Sequence, residues 1–311
     1  MTAATPAFTE PLPATLDAGQ VARFHREGYL AFESLLEPGE VEAGRRAMSE
    51  MLQGLAARAK AGELKVERAP NAMRNYSGCR VVDQASDSGV LFEPGLEIDP
   101  ARMSVEELDR TYRKLIHPAK GHAFFRRLAE DARLTNVLDA LLGPGAVLYS
   151  SDALCKPARI GSPKPWHQDS AYFLYEPAAD GVDVWIALDD AAADNGCMFV
   201  LPGAHRLGPK QHVHRDDCTL ADGRLDYGAA LPVELRAGGV LFFSTLLPHH
   251  TPPNRSDRRR RAAQFFYRGP RTRLIGEDEK RRTYLEADGT PASCAAAGAE
   301  RRAREAVALK A

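Results

Sequence analysis

The chain has 311 residues, enough for one large domain or two small ones, and its 44% apolar and 27% charged content is that of an ordinary soluble globular protein. A formal net charge of −1 gives no global field that would recruit nucleic acid or a membrane surface. No apolar run is long enough to span a bilayer, and the N-terminus has neither a basic start nor an apolar stretch of signal-peptide type.

Residues 1–15 are rich in Pro, Thr and Ala and read as a mobile arm. "LDAGQVARFHREG" then predicts a short helix, with Asp17 as N-cap, Val21 and Phe24 on one face, and Gly28 as the stop. Tyr29 to Phe32 reads as a strand. "EPGEVEAGRRAMSEMLQGLAARAKAG" predicts a longer amphipathic helix through Val41, Met48, Leu52 and Leu55, ending at Gly62. "GCRVVDQ" reads as a strand and "SDSGVLFEPGLEIDP" as a loop. "SVEELDRTYRKLI" opens on a Ser-x-x-Glu capping box and predicts a helix. "GHAFFRRLAEDARLTNVLDALLG" adds one or two more.

The texture changes after Gly143. From Ala146 to Arg268 the chain shows short β-rich runs divided by Gly, Pro, Asp and Asn, with "ADNG" as a hairpin-type turn. Helices followed by evenly spaced strands predict an α+β fold around a double-sheet jelly roll. One domain over 1–311 is expected: a mainly helical part over 16–145, a jelly-roll core over 146–270, and an extension over 271–311 with an Ala-rich, helical or frayed end.

The five cysteines (Cys79, Cys155, Cys197, Cys218 and Cys294) never form a Cys-x-x-Cys pair. A disulfide framework or zinc–cysteine site is not expected, and a reducing cytoplasm is the natural setting.

"KPWHQDSAYF" places His167 and Asp169 two apart in a β-prone stretch, so alternation points both to one face. A lone pair of this kind is as well explained by hydrogen-bonded polar groups at a sheet edge. Among the nine histidines, His25, His117 and His122 fall in helical or linking segments. His205 follows a tight turn, and His212 and His214 lie in a polar stretch. His249 and His250 follow the apolar run "VLFFSTLL", and either could return beside His167 and Asp169 if the strands are neighbours. Two His and one carboxylate would form the facial ligand set of non-haem Fe(II) oxygenases. The run Arg258–Arg261 leads into the strand-like "AAQFFY". Either Arg258 and Arg260 face inward with Ala262, Gln264 and Phe266, or Arg259 and Arg261 do with Ala263, Phe265 and Tyr267. A buried arginine needs an anionic partner.

With "WHQDSAYF", "VDVWIALDDAAADNGCMFVLPGAHR" and "PVELRAGGVLFFSTLLPHHTPPNRSDRRRRA" in order, most of the chain resembles the phytanoyl-CoA dioxygenase family of Fe(II)- and 2-oxoglutarate-dependent oxygenases. The resemblance implies a cupin-like double-stranded β-helix, Fe(II) as metal, and 2-oxoglutarate and O₂ as co-substrates. It implies His167, Asp169 and His249 as iron ligands, and Arg260, Thr251 and Trp185 around 2-oxoglutarate. It also implies a substrate-side cation at Arg80. Retention of Asp169 implies hydroxylation or a related oxidation rather than halogenation. The substrate is expected to be a small molecule, whether a CoA thioester, a natural product or an amino-acid derivative, with no nucleic acid or membrane partner. The sequence sets no oligomeric state. A Zn or Mn hydrolase or isomerase on the same scaffold, or a non-catalytic binding protein, are the competing readings.

Overall fold

The computed structural model describes residues 8–68, 79–214, 217–221, 225–276 and 278–280. The first part runs α1 (Ala18–Glu27), β1 (Tyr29–Phe32), α2 (Pro38–Lys60), β2 (Lys65–Arg68), β3 (Cys79–Asp83), β4 (Ser88–Phe92), α3 (Val105–Asp109), β5 (Tyr112–Ile116), α4 (Pro118–Gly121), α5 (Ala123–Ala129) and α6 (Ala132–Leu142). Strands follow: β6 (Val147–Lys156), β7 (Lys164–His167), β8 (Tyr175–Glu176), β9 (Gly181–Ala187), β10 (Met198–Val200), β11 (His212–His214) and β12 (Cys218–Leu220). The last are β13 (Leu231–Val233), β14 (Val240–Ser244), β15 (His249–Thr251), β16 (Arg260–Arg268) and β17 (Arg273–Leu274).

Local chemistry sets the first elements. Asp17 accepts from the Gln20 N–H (2.7 Å) in a reciprocal capping box, and Gly28 ends α1 at φ +87°. A Cβ on Gly28 would lie 2.4 Å from His205 Nδ1, so both backbone and space require glycine here.

A nine-stranded antiparallel sheet has the order β1-β14-β9-β16-β6-β5-β4-β3-β2, and a four-stranded one the order β13-β10-β15-β7. Alternation divides the large sheet between two cores. Val184, Ile186, Phe242, Ala263 and Phe265 pack towards the helices, against residues such as Met48, Leu52, Phe125 and Leu138. Trp185, Ala187, Leu241, Phe243 and Ala262 pack with Met198, Val200 and Val233 of the small sheet. Strand β9 is buried at all seven positions, which is why "GVDVWIA" reads as a near-continuous apolar run.

Several expectations are corrected. The N-terminal part is not helical throughout: beside α1 to α6, β1 to β5 extend the large sheet. Ser88–Phe92 is a buried strand, not a loop. The helix over "SVEELDRTYRKLI" stops at Asp109, and Tyr112–Ile116 pairs with β4 and β6. Tyr112 and Leu115, three apart and both buried, imitate a helical period in this strand. "ADNG" is not a hairpin turn, since it carries the chain from the large sheet to the small one. Residues 8–12 lie beside β1: Phe8 packs edge-on to Tyr29, and the Glu33 N–H donates to the Glu10 carbonyl (2.8 Å). Of the expected arm over 1–15, residues 1–7 lie outside the described residues, as does the Ala-rich tail. Cys79, Cys155 and Cys197 are buried free thiols. No helix among the described residues is long and apolar enough to cross a membrane.

Candidate metal centre and co-substrate pocket

Strand pairing brings two histidines together. In the register of β15 on β7, His249 stands opposite His167, with ring centres 4.1 Å apart. Each ring is held alike: His167 Nδ1–H donates to the Pro165 carbonyl (2.8 Å), and His249 Nδ1–H to that of Leu247 (2.9 Å). Both Nε2 lone pairs are thereby turned towards the Asp169 carboxylate, 3.3 Å from Oδ1 for His167 and 3.6 Å from Oδ2 for His249, an array of electron-pair donors that a cation would satisfy. The three ligand atoms lie within 4.8 Å of one another, and all three residues are buried.

Strand alternation is not what aligns His167 with Asp169. β7 ends at His167, and Asp169 opens a 3₁₀ turn, Asp169–Ala171. Gln168 pins that turn from behind. Its N–H donates to His212 Nε2 (2.9 Å), and its side-chain amide donates to the Leu246 carbonyl (2.6 Å). His212 is therefore a buried acceptor in a strand rather than part of a polar loop, and burial pushes its pKa down to about 3. His205 has the turn-bracing role expected of it, with Nε2 3.1 Å from the His25 carbonyl.

Burial alone would raise the Asp169 carboxyl, but His249 and His167 outweigh it and hold the group well below the usual carboxylate range. Burial, then neighbouring His167, pushes His249 down to about 3. Gln264 Nε2 donates to Asp169 Oδ2 (3.2 Å). His250, which the sequence leaves as a rival, is packed at a tilt between Trp166 (4.3 Å) and Phe199 (5.0 Å).

The triad opens into a cavity of about 360 Å³. β16 runs along one wall and contributes Arg260, Gln264 and Phe266. The inward parity is thus that of Arg260. Arg260 is 2% exposed; its guanidinium lies 5.4 Å from the Trp185 ring centre and has Nε and Nη1 without partners, and burial pushes its pKa down to about 10. Trp185 Nε1 also lacks a partner, and Thr251 is buried in the same wall. The other arginines of the run are engaged elsewhere. Arg258 pairs with Asp194, Arg259 with Asp109 and Arg261 with Asp189, each at 2.8–2.9 Å.

Arg80 is not brought to this cavity. It lies near the far edge of the large sheet on β3, its side chain is 50% exposed, and it is ion-paired with Glu67. Other charged groups line the wall instead. Lys114 pairs with Asp152 (2.9 Å), and Lys164 donates to Asp217 (2.8 Å) and to the Tyr172 hydroxyl (2.7 Å). Lys156 donates to the Ser162 carbonyl, and burial, then Arg260, pushes its pKa well below the usual lysine range. Gln264 was legible as sharing parity with Arg260. Gln168, Lys156 and Lys164 carry no such signal.

The donors fit a metal: two imidazole nitrogens and one carboxylate suit Fe(II) as well as other divalent ions. Two unpartnered guanidinium N–H groups fit a carboxylate.

Comparison with known proteins agrees. A phytanoyl-CoA dioxygenase domain-containing protein 1 of Danio rerio is 27% identical over 199 residues, 63% of this chain and 67% of that protein. Phytanoyl-CoA dioxygenase 1 of Oryza sativa subsp. japonica is 23% identical, covering 77% of this chain and 84% of its own. Among solved structures, SnoK, a non-haem alpha-ketoglutarate-dependent carbocyclase from nogalamycin biosynthesis, superposes with TM-score 0.59 at 21% identity, over 91% of this chain and 95% of that one. EvdO2 from Micromonospora carbonacea var. aurantiaca, complexed with 2-oxoglutarate, gives 0.57 at 21%, over 86% and 96%. These structural likenesses are of fold. Residues 24–262 match the phytanoyl-CoA dioxygenase family, and with the buried triad inside that span, the chain belongs to this family.

Proposed function

We propose that the chain is an Fe(II)- and 2-oxoglutarate-dependent oxygenase that hydroxylates, or otherwise oxidises, a C–H bond of a compact small molecule. The observation that carries this reading is Arg260, a buried arginine with two unpartnered N–H groups in the same cavity as the triad. A Zn or Mn hydrolase would leave that group unused, and a binding protein that had lost turnover would be free to lose a ligand, yet all three are present.

His167, Asp169 and His249 would hold the iron. Fe(II) and 2-oxoglutarate, when bound, supply O₂ activation with release of succinate and CO₂. The chain's own residues do the rest. The carbonyls of Pro165 and Leu247 fix both imidazole tautomers, and Gln264 fixes Asp169 Oδ2. Arg260 would grip the far carboxylate of 2-oxoglutarate with its planar fork, with Thr251 and Trp185 beside it. Tyr149, Tyr172, Phe173 and Phe266 make an aromatic wall that would exclude water and meet the substrate. A carboxylate at position 169 fills the place a halide would need, which favours hydroxylation. A cavity of about 360 Å³ is small for two ligands, so a bulky nucleotide handle would have to lie outside it. We read the two sheets as the halves of a jelly roll within a single domain, a reading supported by the second core between them.

The test is anaerobic addition of Fe(II) and then 2-oxoglutarate, followed by air. A weak visible charge-transfer absorption and then succinate are expected. Their absence, with hydrolytic turnover on Zn, would overturn the reading.

A further inference from the structure

Beyond β16 the chain continues in a short strap. β17 pairs with β8, the Ile275 N–H donates to the Leu174 carbonyl (3.0 Å), and Arg273 reaches Glu176 (3.0 Å) and Glu279. The strap returns to the core at Lys280, which is 0% exposed and whose Nζ donates to the Ser170 carbonyl (2.9 Å). Ser170 directly follows Asp169 in the 3₁₀ turn, and its own N–H is held by the Thr245 carbonyl (3.0 Å). The strap therefore grips 170–176, a run that begins next to a metal ligand and contains Tyr172 and Phe173 of the cavity wall. The strap lies beyond residues 24–262, the span that matches the family. A surface tether would not need a buried ammonium, which is costly to desolvate and must be directed at an acceptor.

We propose that Lys280 is a positioning residue of the metal centre: by fixing the Ser170 carbonyl it sets where Asp169 presents its carboxylate. The strap is thereby a working part of the site. This rests on the Fe(II)/2-oxoglutarate reading above.

The experiment uses the full chain and measures two quantities. One is the apparent Fe(II) dissociation constant, from anaerobic titration with 2-oxoglutarate present. The other is the melting temperature of the metal-free protein. Lys280→Met is expected to weaken Fe(II) about tenfold, as loss of a group supporting a ligand does, while Lys280→Arg stays within about threefold. Metal-free melting should be similar in both. Arg273→Glu, at an exposed position, should loosen the strap and weaken Fe(II) by about tenfold, and adding Glu176→Arg should restore it. The Arg273 pair carries the test if Lys280→Met does not fold. Wild-type Fe(II) affinity in folded Lys280→Met, or in Arg273→Glu if it alone folds, overturns the proposal. If the wild-type protein itself shows no Fe(II)–2-oxoglutarate absorption, the oxygenase reading fails and this proposal with it.

Discussion

His249 faces His167 across the β15–β7 pairing with their rings 4.1 Å apart, while the next residue, His250, is packed against Trp166 on the other side of the strand. One residue of register decides which histidine can serve a metal. His249→Ala, His167→Ala and Asp169→Ala are each expected to abolish Fe(II)-dependent succinate formation. His250→Ala should keep most of it. Loss of bound iron in His250→Ala with retention in His249→Ala would show that the pairing is off by one.

The four arginines of the 258–261 run give a sharper contrast. Arg260→Lys keeps the charge but loses the planar fork. Half-saturation by 2-oxoglutarate should rise about tenfold or more, equivalent to roughly 1.4 kcal/mol, with Fe(II) binding largely kept. Arg259 and Arg261 are committed to Asp109 and Asp189, so their Lys variants should change it by less than about twofold. Equal effects at all three would reduce the run to a diffuse basic surface.

Gln264 donates to Asp169 Oδ2 at 3.2 Å and shares the cavity wall with Arg260. Gln264→Leu keeps the volume and removes the donor. Iron affinity should fall about tenfold, read by anaerobic titration, with the 2-oxoglutarate requirement retained. Unchanged affinity would mean that the neighbouring histidines alone hold the carboxylate.

Metal identity is a separate matter, because this ligand set also accepts Mn(II), Co(II) and Zn(II). Protein stripped with a chelator should be inactive, regain succinate formation with Fe(II) and a reductant, and be inhibited by Zn or Co. The stripped protein should also melt lower, and Fe(II) at about 100 times its dissociation constant should restore about 2.7 kcal/mol. Asp169→Ala should show little of that shift in a thermal melt.

Much of this protein was open to reading along the chain. The cap at Asp17 and the stop at Gly28 depend on neighbours a few residues away, so local chemistry sufficed. The doubly buried β9 announced itself as an apolar run. The His-x-Asp pair, the doubled histidine and the arginine run were visible as residue types able to carry iron and carboxylate chemistry. Alternation limited the inward arginines to one of two parities.

The remaining choices were made by contacts distant in sequence. β15 on β7 selected His249, and β16 between β6 and β9 selected Arg260. Pairing with β4 and β6 overrode the helical spacing of Tyr112 and Leu115. Asp169 is aligned by a turn held by Gln168 and Lys280, whose partners lie 44 to 110 residues away. Sequence patterns report period and polarity, which are properties of one segment. Register, and which side chain stands opposite which, belong to pairs of segments and exist only once the chain has folded.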